Sequence, residues 1–589
     1  MSAKSIQEFF SGKSLAVPGY QRDYAWKEGN VDDLFNDVEE ALQAGDGHYL
    51  GTFILSQTKK ASSLLVVDGQ QRLTTLTMLL DALIDVVEDS AIKQHYYNTF
   101  ISHPITGAKF SVLGDNDTFF LALLAEKHPE PESDGQSRLR AAYSHIRLRV
   151  HALLDRGGQD LIKQWLQCLS DMQVLEFVEP DEGKAIRMFQ SVNDRGVPLA
   201  KIDIVKSLLV YYSNRYLDGA MDTYISGKFG IAFKSFSKVK RLANEDGYKV
   251  RLVSRDSFSE DDVLRYHYFA FDSSPFGVTA GADFTATAET VLKTFLKPSL
   301  QGLRNDCSRL QDFIKAYVDD LVAFFGGLEA LFQLTRTDLP TYLLFVVQDL
   351  SAILYPLIIR LHLMGLLSRS GAPSDSRCVQ DIIEVVDLRV FKLRGTNPQV
   401  DIFRITQELP KLSVDQAVSQ LQWFCQKFMP DAMLSSRLVA EDVYRNLGLP
   451  RMLLAEEEAV RTTEKAPHLD IHQLSVLNRT GLTVEHIFPQ EPRFNVRAYG
   501  FKNPAEYEQE NHRIGNLVLL EAPLNSRCNN RTVAAKMSAP DLYLSSGLDA
   551  VKKLSADHAG SAQGFQKHDA DARSDLLARL VVKRWPIMG

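Results

Sequence analysis

Short apolar runs alternate with turn residues over the first 90 positions. His48 to Gln57 (HYLGTFILSQ) and Ser63 to Val67 (SLLVV) are predicted strands, and Asp68-Gly69 ends the second. Leu73, Leu76, Leu80, Leu83 and Val87 then recur at spacings of three and four, which predicts an amphipathic helix. Residues 90–220 read as mainly helical, with a polar Pro/Gly-rich break at 126–137. Lys184 to Val192 predicts a helix that Asn193-Asp194-Arg195-Gly196 ends, and Pro198 opens the next one, LAKIDIVKSLLVYY. Residues 220–470 hold many helical patterns, a loop at Phe271 to Asp283, no repeat and no catalytic signature. Residues 340–367 are strongly apolar, but Asp349, Pro356, Arg360 and His362 interrupt them. A spanning helix needs about 20 nearly uncharged residues, so two buried helices are expected instead.

The pattern changes again at 470–540. Leu482-Thr483-Val484 and Leu517 to Leu520 (LVLL) are short strand candidates, and Leu524 to Met537 is a helix candidate. Strand, loop, strand and helix is the local order. With 589 residues and about 100–200 residues per domain, three domains are expected. Their boundaries fall at 1–215, 216–470 and 471–589.

Charge narrows the partners. A formal net charge of -8 argues against coating nucleic acid by bulk charge, while leaving room for a local basic groove. The five cysteines have no CxxC spacing, so neither a disulfide framework nor a cysteine-rich zinc site is expected. A reducing cytoplasm fits, and the N-terminus has no apolar run of the secretory kind.

The candidate chemistry lies in two places. In TVEHIFPQ and HRIGNLVLLEAPLNSRCNN, Glu485 and the amide oxygen of Asn525 are hard oxygen donors suited to Mg²⁺ or Mn²⁺. His486 is suited to act as the general base for phosphodiester hydrolysis, and Asn516 to lock the loop that holds it. His512, Arg513, Arg527, Arg531 and Lys536 are candidates for phosphate contact. In the N-terminal part, Asp68, Gly69, Gln70, Gln71 and Arg72 join a strand to a helix. A helix N-terminus there offers backbone N–H groups to an anion, and Arg72 offers a fork. Upstream, VPGYQRDYAW mixes aromatic and polar groups. Tyr20, Gln21 and Arg22 are the candidate DNA contacts, and Tyr24 and Trp26 are candidate core.

The C-terminal string resembles the HNH, or ββα-metal, nucleases. More narrowly, VEHIFPQ with RIGNLVLLEAPLNSRCNNRTVAAK is similar to the HNH-like domain of GmrSD-type restriction proteins, with Asn525 where a histidine is usual. YQRDYAW and DGQQRLTTL resemble the N-terminal domain of the same family. So does FQSVNDRGVPLAKIDIVKSLL, through Phe189, Asn193, Gly196 and Leu199. The resemblance implies a predominantly helical α+β protein. It would have a ParB/sulfiredoxin-like N-terminal α/β core, a helical middle and a ββα-metal C-terminal domain.

It also implies a nucleoside triphosphate bound at the DGQQR box with Asn193. Asp203 and Lys206 would face the same pocket. The expected substrate is phage DNA carrying marks such as modified cytosines or phosphorothioates, cut with Mg²⁺ or Mn²⁺ in a cytoplasmic anti-phage role. A homo-oligomer is compatible with this, and a membrane partner is not expected. The alternative is a nucleotide-driven DNA-sensing protein whose nuclease domain is inactive or needs a partner.

Overall fold

The computed structural model describes residues 2–19, 21, 23–44, 49–57, 63–180, 200–278, 285–372, 375–558 and 564–588. Helices predominate, and the strands are concentrated near the N-terminus, giving a predominantly helical α+β fold. The chain divides into two units. One holds 1–237 and 288–322, and the other holds 238–287 and 323–589.

The first unit is built on a mixed six-stranded sheet. Its strands are β1 (Ser2–Ser5), β2 (Leu15–Ala16), β3 (Tyr49–Gln57), β4 (Leu64–Asp68), β7 (Phe110–Ser111) and β8 (Gln173–Glu179). Between β4 and β7 lies a small hairpin of β5 (Ser102–His103) and β6 (Gly107–Ala108). The spatial order is β1-β8-β3-β4-β2-β7. β3 pairs antiparallel with β4 and parallel with β8, so the two strands expected from the sequence sit at the centre. β8 lies in a stretch read as helical. It is a strand because alternate residues Val174 and Glu176 are buried while the backbone pairs with β1 and β3 on its two edges.

The amphipathic helix expected after β4 spans Gln70–Asp85 and is buried almost all round. Its leucines pack with Phe9, Phe53 and the long helix Asp134–Asp171, which contributes Leu139, Ile146 and Trp165. Tyr24 is also core, and Trp26 packs against it, as the sequence suggested.

One residue on this helix has an electrostatic cost. Asp81 is buried and accepts a hydrogen bond from the Tyr143 hydroxyl at 2.5 Å. Burial, the largest cause, pushes its carboxyl up to about 7. Below the unfolded value of 3.8 both states hold the proton. As pH rises towards 7 the unfolded chain releases the proton first, so the folded state loses stability. Above that window the loss is constant, at most about 4 kcal/mol for a shift of this size. Asp81→Asn is therefore expected to stabilise the unit, and by more at pH 8 than at pH 5. Denaturant unfolding at the two pH values checks this; equal gains at both would rule it out.

The second unit is helical, with a short β9 (Ser370–Ala372) and β10 (Asp375–Cys378) pair and a hairpin of β11 (Leu482–His486) and β12 (Leu517–Glu521). The apolar stretch 340–367 forms separate helical pieces as expected. One starts at Leu339 and the other spans Tyr355–Leu363, with Pro356 in its first turn and Asp349 at φ +58° between them. Among the described residues, no helix is long and apolar enough to cross a membrane.

The helix expected at 524–537 is two helices, Ala522–Cys528 and Val533–Ser538. Asn529 at φ +40° ends the first, and the Thr532 hydroxyl caps the second. The helix expected at 184–192, its terminating turn and Pro198 lie outside the described residues. The following helix begins at Lys201.

Candidate functional site

The C-terminal candidates converge on the β11/β12 hairpin. The two strands pair antiparallel in the register Glu485↔Val518 and His486↔Leu517. Successive strand residues face opposite sides, so Glu485 shares a face with Thr483 while His486 faces away. Helix Ala522–Cys528 packs on the Thr483 side. Asn525 donates from Nδ2 to Thr483 Oγ1 at 2.9 Å and to the Val484 carbonyl at 3.3 Å. Its Oδ1 accepts no hydrogen bond among the described residues.

Glu485 is buried. Its Oε1 lies 2.7 Å from Lys536 Nζ, yet makes no well-formed hydrogen bond. Lys536 is itself fully buried and also donates to the His486 carbonyl at 2.6 Å. It was expected on a DNA-facing surface. It lies inside because the buried carboxylate needs a counter-charge. Burial raises the Glu485 carboxyl and Lys536 opposes the rise. The neighbouring Cys528 thiol is pushed up to about 12, first by burial and then by Glu485.

On the other face, His486 Nε2 is 2.9 Å from His512 Nδ1, and Gln490 Nε2 is 3.2 Å from His486 Nδ1. With the Gln490 amide donating to Nδ1, the His486 proton sits on Nε2 and points at His512. The Tyr444 ring lies 4.4 Å from the His486 ring and stacks on His512 at 5.1 Å. Burial, then His512 and Lys536, lower His486 to about 3. The imidazole is thus neutral at physiological pH, and Nδ1 is the nitrogen whose lone pair an exposed, movable side chain covers.

Asn516 holds this loop. Its Oδ1 accepts from Phe488 N–H at 2.7 Å, and its Nδ2 donates to the carbonyls of Asn511 at 2.7 Å and Phe488 at 3.3 Å. Its own carbonyl accepts from Ile487 N–H at 2.9 Å. The turn is gripped from helix Lys567–Arg584. Arg573 Nη1 donates to the carbonyls of Gly515 at 2.9 Å and Leu517 at 2.8 Å, while its Nε donates to Glu456 at 2.9 Å. Gly515 is required there, because a Cβ would overlap the Ala570 carbonyl and the Ser574 hydroxyl. Arg527 and Arg531 are exposed, and Arg513 is partly buried beside Glu510 at 3.5 Å.

In the first unit, Gly69 turns β4 into the helix at φ +95°, and a Cβ there would strike the Phe53 ring. The helix start clips the upstream arm. Gln71 Oε1 accepts from Ala25 N–H at 2.8 Å, its Nε2 donates to the Asp23 carbonyl at 3.1 Å, and Gln21 Nε2 donates to the Val67 carbonyl at 2.6 Å. Gln70 is buried. Arg72 turns to β3, donating to the carbonyls of Leu50 at 3.0 Å and Thr52 at 2.8 Å, with Asp68 3.9 Å away. Burial raises the Asp68 carboxyl, and Arg72 opposes this.

Lys206 is fully buried and donates to the Gln21 carbonyl at 3.3 Å. Burial lowers its amine to about 8, against the pull of Asp203 and Asp23. Asp23 also accepts from Asn116 at 2.8 Å. Tyr20, Arg22 and Asn193 lie outside the described residues.

Residues 6–210 match the N-terminal domain model of the GmrSD restriction endonuclease, and residues 430–580 match the C-terminal domain model of GmrSD restriction endonucleases. The chain belongs to the GmrSD restriction endonuclease family. Nothing among the curated proteins matches it. The restriction-endonuclease domains imply DNA as the substrate.

In this GmrSD chain the C-terminal match begins well before the hairpin. The structure gives a reason: Tyr444 stacks against the histidine pair, and Glu456 anchors Arg573. Sequence reading missed both, because neither sits near the VEH or GN strings. Asp23 and Asn116 were also missed, although Asp23 stands inside YQRDYAW. For a metal, the donor chemistry is that of a small hard cation: the buried Glu485 Oε1 without a good hydrogen bond, and the open Asn525 Oδ1. Among the described residues there is no group of three His, Cys, Asp or Glu placed to hold an ion. Two protein oxygens with water and phosphate still suit Mg²⁺ or Mn²⁺, and Lys536 is the competing cation.

Proposed function

We propose that the chain is a nucleotide-regulated endonuclease of the HNH type that cuts DNA carrying foreign chemical marks, in cytoplasmic defence against phage. The observation that carries this reading is the hairpin-plus-helix arrangement. It puts Glu485 and Asn525 on one side and a neutral His486, held by the Asn516 turn, on the other. Glu485 and Asn525 would hold Mg²⁺ or Mn²⁺, and such an ion supplies positive charge against the leaving oxygen when bound.

The chain's own groups do the rest. Water enters where Gln490 covers Nδ1 of His486, and that nitrogen takes its proton. His512 receives the Nε2–H and fixes the tautomer. A phosphate brought beside the imidazole favours its charged form and so strengthens a base that burial has weakened. Arg527 and Arg531 are available to the DNA backbone. The N-terminal unit would bind a nucleoside triphosphate around Asp68, Gly69, Gln70, Gln71 and Arg72, with a ParB/sulfiredoxin-like core as its frame. Lys206 would add a cation to that pocket.

A second reading has one observation in its favour. The Lys536 ammonium against Glu485 suits a nuclease domain that is silent until a partner or DNA displaces it. A plasmid nicking assay tests both. Unmodified, cytosine-modified and phosphorothioated DNA are compared with Mg²⁺ or Mn²⁺, with and without each triphosphate. Cutting confined to marked DNA supports the first reading. No cutting under any condition, with triphosphate still hydrolysed, moves the assignment to the second.

A further inference from the structure

A cleft of about 760 Å³ opens in the first unit between the end of helix Ile6–Phe10, the end of helix Ser90–Phe100 and the β5/β6 hairpin. That volume is in the usual range for a small-molecule site. Its lining is polar and contains no Asp or Glu. Lys109, directly after the hairpin, lines it and is only 7% exposed. Among the described residues its Nζ has no ion pair and no hydrogen bond. Its stem is packed away while the ammonium keeps access to solvent, so the charge is placed to meet an anion that enters the cleft.

The surrounding groups are set as donors. His103 Nδ1 accepts the Ile105 N–H at 3.2 Å, which leaves the imidazole proton on Nε2. Asn98 Oδ1 accepts from Gln94 at 2.8 Å, so the amide of Asn98 has its Nδ2 donors left to give. Lys13, also in the lining, reaches Glu176 at 2.8 Å, but Lys4 contacts the same carboxylate at 2.5 Å. Two ammonium groups therefore share that one carboxylate, and Lys109 has no part in the pairing.

We propose that this cleft is a phosphate-binding site, separate from the DGQQR turn, in which Lys109, His103 and Asn98 hold the phosphate oxygens. Neutral sugars or amines would leave the Lys109 charge unmatched, whereas a phosphate answers it. The phosphate could come from a DNA backbone or from a free nucleotide, since both present the same oxygens. The site does not depend on the chemistry at His486.

The test is equilibrium binding to the full-length chain in EDTA, so that no cleavage enters. The probes are a labelled DNA duplex, a nucleoside triphosphate and inorganic phosphate as competitor. Lys109→Gln is expected to weaken one of the first two by about tenfold, the effect of losing a charged hydrogen bond. Lys109→Arg should retain most of the affinity. A loss for the duplex with a shallower salt dependence assigns the site to the DNA backbone. A loss for the triphosphate alone assigns it to a nucleotide. If Lys109→Gln melts early, His103→Ala and Asn98→Ala on the rim carry the test. Unchanged affinity for both probes in these variants would overturn the proposal.

Discussion

His486→Ala is expected to lower DNA cleavage by about 100-fold to 10,000-fold, the range a positioned general base supplies. The structural reason is that, among the described residues, neither neighbouring titratable group is placed to replace it. His512 is bonded to Nε2 of His486 and stacks on Tyr444. Glu485 lies on the opposite strand face, tied to Lys536. The change also empties a buried position beside Tyr444, so some stability is lost with it. His486→Gln separates the two effects, because it fills the space without supplying an imidazole. Both variants should retain DNA binding. Cleavage at the wild-type rate by either would remove His486 from the base role.

Some of this was legible in the sequence for definite reasons. LTV and LVLL are short β-branched or apolar runs bounded by polar residues, and they pair as β11 and β12. Asn516 before the second strand and Asn525 on the following helix keep a fixed offset because a strand and a helix turn separate them. The DGQQR turn likewise marks where β4 ends and a buried helix begins.

What was not legible depends on groups distant in the chain. A lysine on a short helix reads as a surface residue, and Lys536 is buried only because Glu485 is opposite it. Arg72 reads as a phosphate fork, and its additional bonds to the carbonyls of Leu50 and Thr52 on β3 carry no sequence signal. β8 was invisible because a strand's apolar positions depend on its neighbours in the sheet, here β1 and β3. Tyr444 carries no local signal at all, since its partners are histidines from another segment.

The same dependence on distant groups gives the other large effect, at Arg573. Its guanidinium is nearly buried, pairs with Glu456 through two nitrogens and donates to the carbonyls of Ile514, Gly515 and Leu517. Arg573→Ala removes all of these at once and leaves a largely buried carboxylate with no counter-charge. Breaking a buried pair from one side costs about 3–5 kcal/mol. The unit is thus expected to unfold at clearly lower denaturant concentration.

The loss should extend to activity. The three carbonyls belong to the turn that contains Asn516, and Asn516 fixes Ile487 and Phe488, the residues directly after His486. A loosened turn leaves His486 present but badly aimed, so the cleavage rate at saturating DNA should fall while DNA affinity stays. Arg573→Lys keeps the charge but cannot fork, and should restore part of the stability and less of the rate. Arg573→Ala with wild-type unfolding and wild-type cleavage would show that the C-terminal helix does not hold the turn. Lost stability with an unchanged rate in the folded fraction would make the grip purely architectural.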